Sequence, residues 1–122
     1  MAIYHRAEER EFFLAGNHMA GLATPSRDAA SVEVWRARMD AGSATPPHQH
    51  DYEEVVVVLS GRGRARIGDE EVTFEAGDTL ILPPGKVHQI FSDTESESIA
   101  AMPRRSTIRT PHGEVMELPW RS

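Results

Sequence analysis

The chain has 122 residues, a formal net charge of −6 at pH 7 and no cysteine. This length suits one domain with one core, and the missing cysteines exclude disulfides, thiolate metal ligands and a cysteine nucleophile. The acidic balance argues against a nucleic-acid partner. No polybasic patch or long apolar span indicates a membrane, and the N-terminus has no apolar signal region. We therefore expect a cytoplasmic protein.

The pattern along the chain is one of short strands separated by Gly and Pro turns. Residues 6–14 are compatible with a short helical turn or an edge strand, and regular polar–apolar alternation begins at residue 32. The strands predicted from this pattern cover residues 32–39, 54–60, 62–67, 72–74, 79–82, 87–91, 98–102, 107–109 and 115–118. Many short strands with such turns are typical of an all-β sandwich or barrel.

The longest apolar run, residues 55–59, is apolar on both faces of its expected strand. One face should line the barrel, and the other has to be covered by a second layer. Either the N-terminal segment of the same chain or a second subunit could provide that layer. We expect a homodimer.

Strand parity also assigns side chains to the interior or the surface. Trp35 and Met39 share one face of their strand and are expected in the core. Arg36 and Arg38 share the opposite face and are expected to be exposed or paired with acids. The apolar side chains expected beside a bound ligand are Val56, Val58 and Ile90. A cavity lined in this way favours a small, partly apolar ligand.

Three histidines and one glutamate stand out for their spacing. His48 and His50 are two residues apart, so an extended chain points both imidazoles to one side, and Glu54 keeps the same parity. His88 lies on a later strand, just after a Pro-Pro-Gly turn. Taken singly, each is an ordinary strand or surface residue. Together, three imidazoles and one carboxylate would form a nitrogen and oxygen site for a divalent transition metal.

The joint spacing of these residues resembles that of the cupin superfamily. A first motif, Gly-x5-His-x-His-x3-Glu-x6-Gly, runs from Gly42 to Gly61 with every fixed position matched. A second motif, Gly-x5-Pro-x-Gly-x2-His-x3-Asn, begins at Gly77 and departs only at its last position, where Ser92 replaces Asn. Serine is also small and polar, so we expect the fold to be kept.

The resemblance implies a double-stranded β-helix, or jelly-roll barrel, of the RmlC-like cupin type. Residues 1–122 would form one domain, with an N-terminal extension of about 1–30, a core barrel of about 31–103, and C-terminal strands and a tail of about 104–122. The residues that the resemblance implies as metal ligands are His48, His50, Glu54 and His88. The cofactor would be one divalent transition metal ion, namely Fe, Mn, Ni, Zn, Cu or Co.

The function implied by the resemblance is a metal-dependent enzyme, first an oxygenase, acting on a small organic substrate in the barrel. A metal-dependent isomerase or lyase and a non-catalytic small-molecule-binding protein remain alternatives, because one ligand set serves many reactions. The complete ligand set argues against a metal-free sugar-nucleotide epimerase. The catalytic acid or base is unassigned; the candidates near the ligands in sequence are Tyr52 and Asp51. His5, His18 and His112 are expected on the surface or in loops.

Overall fold

Eleven β-strands and three single-turn 3-10 helices make up the fold, in a computed structural model that describes residues 1–122. The first six strands are β1 (Glu11–Leu14), β2 (Asn17–Ala23), β3 (Val32–Met39), β4 (Gln49–His50), β5 (Glu54–Ser60) and β6 (Arg62–Ile67). The others are β7 (Glu70–Glu75), β8 (Thr79–Leu82), β9 (His88–Ser92), β10 (Ser96–Pro103) and β11 (Ile108–Arg109). The 3-10 helices are Arg6–Glu8, Pro25–Arg27 and Pro119–Arg121. None of the helices has the length and apolar character needed to cross a membrane.

The strands form three antiparallel sheets around one interior. A six-stranded sheet has the order β1-β2-β3-β10-β5-β8, a three-stranded sheet the order β7-β6-β9, and β11 pairs with β4. Their inward side chains build a single apolar core. The all-β jelly-roll prediction is thus confirmed. Trp35 and Met39 are 3% and 5% exposed, which also confirms their prediction as core residues.

The N-terminal region contributes more to the sheet than the sequence indicated. Both alternatives for residues 6–14 occur, because a 3-10 turn is followed by β1 at the sheet edge. Strand β2 was not predicted, yet it pairs with β3 over most of its length and buries Met19 and Ala20. Its Asn17 and Gly21 have low strand propensity, which hides the alternation.

The prediction of a strand at residues 115–118 is wrong. Only Val115 forms an isolated bridge, with Arg109, and the chain then turns into the last 3-10 helix. The departure from the second motif is accommodated, because Ser92 is 2% exposed and its hydroxyl lies 2.6 Å from that of Ser96.

Charged and apolar side chains divide the outer face of the large sheet. Arg36 pairs with Glu97 at 2.7 Å and with Glu9 at 3.3 Å, which confirms that this arginine pairs with acids. Arg38 likewise lies within 4.0 Å of acidic side chains. Over β5 and β8 the face stays open, with Val57, Leu59 and Ile81 exposed. The N-terminal segment therefore does not cover this part of the apolar run.

The C-terminal turn is fixed to the barrel by a buried carboxylate. Glu33 is fully buried, and it accepts hydrogen bonds from the Trp35 indole at 2.6 Å and from Arg121 at 2.7 and 3.3 Å. Arg121 also donates to the backbone carbonyls of Arg104 and Ser106. These bonds pair the buried Glu33 charge with a guanidinium that is about one-fifth exposed, and a buried charge requires such a partner.

The same anchor places Trp120 inside the molecule. Its ring meets that of Trp35 edge to face, with centroids 5.8 Å apart, and it is 7% exposed. Gly21 of β2 lies against the Trp120 backbone carbonyl and leaves no room for a Cβ atom. A side chain at position 21 would therefore displace the C-terminal turn.

Candidate metal centre

The four residues singled out by spacing are brought to one point by the strands β4, β5 and β9 and by the residue just before β4. His48 forms an isolated β-bridge with His88, the first residue of β9, through two backbone hydrogen bonds of 3.1 and 2.8 Å, and His50 ends β4 two residues later. The His50 carbonyl accepts a bond from the amide of Gly85, whose φ of +72° closes the Pro-Pro-Gly turn before His88. Glu54 is the first residue of β5. Backbone pairing therefore sets the positions of all four side chains.

The side chains form a tight cluster. One nitrogen or oxygen atom from each of the four residues lies within 4.8 Å of those of the others. The Glu54 carboxylate is 3.4 Å from His88 Nε2 and 3.6 Å from His50 Nε2, and the Nε2 atoms of His48 and His88 are 3.1 Å apart. His50, Glu54 and His88 are buried. The three nitrogens and one oxygen match the donor set of a divalent transition metal site.

Two hydrogen-bonding observations fit a metal in this cluster. The His48 Nδ1 lies 2.7 Å from the Pro46 carbonyl oxygen. Because a carbonyl only accepts, Nδ1 must donate, and the lone pair of Nε2 is left facing the cluster. His50 Nε2 is buried without any hydrogen-bond partner. A metal ion would use both nitrogens.

The charge states also suit metal binding. Burial lowers the pKa of His50 to about 4, although the Glu54 charge opposes the shift. Burial, with His88 nearby, also lowers the pKa of His48. Burial raises the pKa of Glu54, but the hydrogen bond with His88 and the charges of the three imidazoles outweigh it, so that the net shift is downward. At pH 7, His48 and His50 are therefore neutral and Glu54 is a carboxylate, which are the ligating forms.

The lowered pKa of His50 predicts an acid-sensitive metal-free protein. The folded-state pKa is about 4 against an ordinary 6.5, so between these pH values the unfolded chain binds more protons than the folded one. The free energy of unfolding should thus fall by about 3 kcal/mol from pH 7 to pH 4 because of this residue. Chemical denaturation of chelator-treated protein across this range would measure the change. The His50→Asn variant should show a shallower dependence, and an equal slope in both proteins would contradict the assignment.

A cavity adjoins the cluster inside the barrel. It has a volume of about 100 Å³, of the order of a cavity that holds a single aromatic ring. The predictions that Val56, Val58 and Ile90 lie on the ligand side are confirmed. Among the lining residues outside the His–Glu cluster, two buried polar atoms, Asn17 Oδ1 and Trp120 Nε1, have no hydrogen-bond partner. Sequence reasoning missed both as cavity residues.

The candidate acid or base residues lie elsewhere. Tyr52 is 36% exposed, packs beneath the guanidinium of Arg105 and does not line the cavity. Asp51 pairs with Arg109 through contacts of 2.9 and 3.3 Å, and this hydrogen bonding lowers the pKa of Asp51. Neither side chain is therefore placed to serve the cluster.

The remaining histidines do not join the cluster. His5 and His112 are exposed, as expected. His18 is part of β2 and is half-buried, with its ring nitrogens 3.2 Å from Glu11 and 3.0 Å from Asp40. It is therefore a strand residue held between two carboxylates.

Comparisons with known proteins agree on the family. The family model described as "Cupin domain" matches residues 35–101. The chain is 27% identical over 107 residues to auxin-binding protein 4 of Zea mays, covering 80% of this chain and 52% of that protein. It is 28% identical over 92 residues to a 1-hydroxy-2-naphthoate 1,2-dioxygenase of Nocardioides sp., covering 70% and 24%. The chain spans about half the length of the curated auxin-binding proteins that it matches.

Solved structures share the fold at low sequence identity. The polyketide cyclase RemF from Streptomyces resistomycificus superposes with a TM-score of 0.78 at 18% identity, covering 98% of this chain and 90% of the other. A salicylate 1,2-dioxygenase from Pseudaminobacter salicylatoxidans gives a TM-score of 0.67 at 17% identity, covering 76% and 30%. These likenesses support the barrel architecture and leave the reaction open.

Proposed function

We propose, since the chain belongs to the cupin family, that it is a metal-dependent oxygenase-type enzyme acting on a small aromatic substrate. The observation that carries the proposal is the cluster of three histidines and one glutamate beside an apolar cavity. His48, His50, Glu54 and His88 would hold one divalent transition metal ion. The cavity volume of about 100 Å³ is of the order of a cavity that binds one aromatic ring.

Each part of the site has a separate task. The metal, when bound, would supply Lewis-acid and redox chemistry. The hydrogen bond from His48 to Pro46 orients its imidazole, and Glu54 supplies one compensating negative charge. The apolar walls exclude water and orient the ring of the substrate. The buried indole N–H of Trp120 is free to donate to a substrate oxygen.

The similarity in sequence to a protein named as a 1,2-dioxygenase supports an oxygenase, and a solved structure named as a 1,2-dioxygenase shares the fold. A second candidate is a non-catalytic binding protein. Two observations favour it: the relatives named for binding auxin, and the positions of Tyr52 and Asp51 away from the cavity. A metal-dependent isomerase or lyase would use the same ligands.

Oxygen consumption distinguishes these functions. Protein loaded with Fe(II) should consume O₂ when given an aromatic substrate from a panel of salicylate, 1-hydroxy-2-naphthoate, catechols, β-diketones and flavonols. The His50→Ala variant serves as the control and should consume none. Tight ligand binding without O₂ uptake by any compound would favour the binding protein. Conversion of a compound without O₂ uptake would favour the isomerase or lyase.

We also propose that the open apolar face is covered by a second copy of this chain. The outward positions of β5 and β8 carry no charged side chain: Val55, Val57, Leu59, Thr79 and Ile81. A symmetric dimer would bury this stripe against itself. Analytical ultracentrifugation should give twice 13.6 kDa, and the Val57→Glu variant should give a single protomer. A wild-type mass of one protomer at micromolar concentration would contradict the dimer.

A further inference from the structure

Asn17 lines the cavity and has one buried side-chain acceptor without a partner. Its Nδ2 lies 3.0 Å from the Leu14 carbonyl, 3.3 Å from that of Ala15 and 3.0 Å from that of Ala44. Because carbonyl oxygens only accept hydrogen bonds, these contacts fix which amide atom is the nitrogen. The other atom, Oδ1, is buried and has no partner, and the residue is 3% exposed.

Asn17 lies beside the part of β9 that is remote from His88. The backbone carbonyl of Ala44 accepts a hydrogen bond from Asn17, and Ala44 forms an isolated β-bridge with Phe91. Phe91 is three residues from His88, which is about 10 Å along β9 at 3.3 Å per residue. The walls of the cavity are mainly apolar. One end of the cavity thus offers metal ligands, and the other offers a single hydrogen-bond acceptor.

Two hydroxyl groups near this end already have partners. The Ser96 hydroxyl lies 2.6 Å from that of Ser92, and Thr45 Oγ1 accepts from the Ile90 amide at 2.9 Å. Asn17 Oδ1 is therefore the acceptor that a ligand would satisfy. Leaving a buried carbonyl oxygen unpaired is unfavourable, so a ligand that donates to it gains affinity.

We propose that Asn17 Oδ1 selects aromatic acids that carry a hydroxyl or N–H donor on the side of the ring opposite the acid group. This proposal rests on the proposed function, and it adds that the acid group of the substrate would lie at the metal end of the cavity. The ring packs on the apolar walls, and the donor meets Asn17. A site built to pair a donor rejects an analogue that lacks one, because the protein acceptor is then left unpaired.

Matched ligands test the proposal without relying on a variant. Titration calorimetry of zinc-loaded protein would compare 4-hydroxyphenylacetate with phenylacetate and with 4-fluorophenylacetate, which has a similar size and no donor. The hydroxylated acid should bind about ten- to a hundred-fold more tightly. Equal affinities would overturn the proposal.

Variants then assign the selectivity to a residue. Asn17→Ala should bring the affinity ratio close to one, whereas Ser96→Ala should keep it. Should Asn17→Ala not fold, the wild-type ratio together with Ser96→Ala decides. A ratio that persists in folded Asn17→Ala, or that is lost in Ser96→Ala, would overturn the role of Asn17. Zinc binding without binding of any acid would overturn this proposal and leave the metal site standing, whereas failure to bind zinc would overturn the proposed function as well.

Discussion

Replacing His50 with alanine should weaken binding of divalent transition metals by at least about 100-fold. His50 is 2% exposed, and its Nε2 has no hydrogen-bond partner in the protein. Loss of a residue that merely orients a ligand costs about 10- to 100-fold in metal affinity, so loss of a ligand should cost at least the upper value. Competition titration against a chromophoric chelator, together with elemental analysis of dialysed protein, would measure the effect.

His112→Ala is the matched control, because it removes an exposed histidine that lies outside the cluster. Its metal content should equal that of the wild type. The His50→Ala protein should keep the far-UV circular dichroism of the wild type, since backbone pairing rather than the imidazole positions β4. A wild-type protein that binds no more metal than His50→Ala would refute the assignment of the site.

The sequence predicts well that His48, His50, Glu54 and His88 come together, because the constraints on them are local. His48 and His50 are related by strand parity, and the Pro-Pro-Gly turn that precedes His88 is written in adjacent residues. The alternation of β3 likewise identifies Trp35 and Met39 as core residues. In each case the prediction rests on the two-residue period of a strand or on the sequence of one turn.

No local sequence pattern predicts the residues at the end of the cavity remote from the cluster. Asn17 interrupts the apolar pattern of β2, and its role depends on the carbonyl of Ala44, 27 residues away. The sequence at 115–118 alternates like a strand, yet Met116 and Leu118 pack against the core from a non-strand segment. The structure of both segments depends on the parts of the chain with which they pair or pack, and the sequence of one segment does not specify its partner.

The Glu33–Arg121 ion pair is the clearest case of a contact that local sequence cannot predict, because the two residues are 88 positions apart. Neither residue has a local signal of pairing. Glu33 occupies an inward position of β3 where an apolar residue would be expected, and the structure explains it through Trp35 and Arg121. A charged residue at an inward position of an otherwise apolar strand is therefore the one sequence feature that indicates a distant ion-pair partner.

Arg121→Ala should destabilise the protein by about 3–5 kcal/mol, the usual effect of removing one member of a buried ion pair. The variant leaves the Glu33 carboxylate, which is fully buried, with the Trp35 indole as its remaining donor. Urea denaturation would measure the loss. Arg105→Ala is the control, since it removes an arginine that stacks on Tyr52 at the surface, and it should change stability by less than about 0.5 kcal/mol.

A second substitution separates the ion pair from packing. If the loss comes from an unpaired buried charge, Glu33→Gln combined with Arg121→Ala should be less destabilised than the sum of the single variants. Additive losses, or a loss below about 1 kcal/mol in Arg121→Ala, would contradict a role for the pair. Because Arg121 holds the turn that carries Trp120 into the cavity, Arg121→Ala should also weaken binding of aromatic acids while metal content stays unchanged. The ion pair would then shape one wall of the ligand cavity, while backbone pairing keeps the four cluster residues in place.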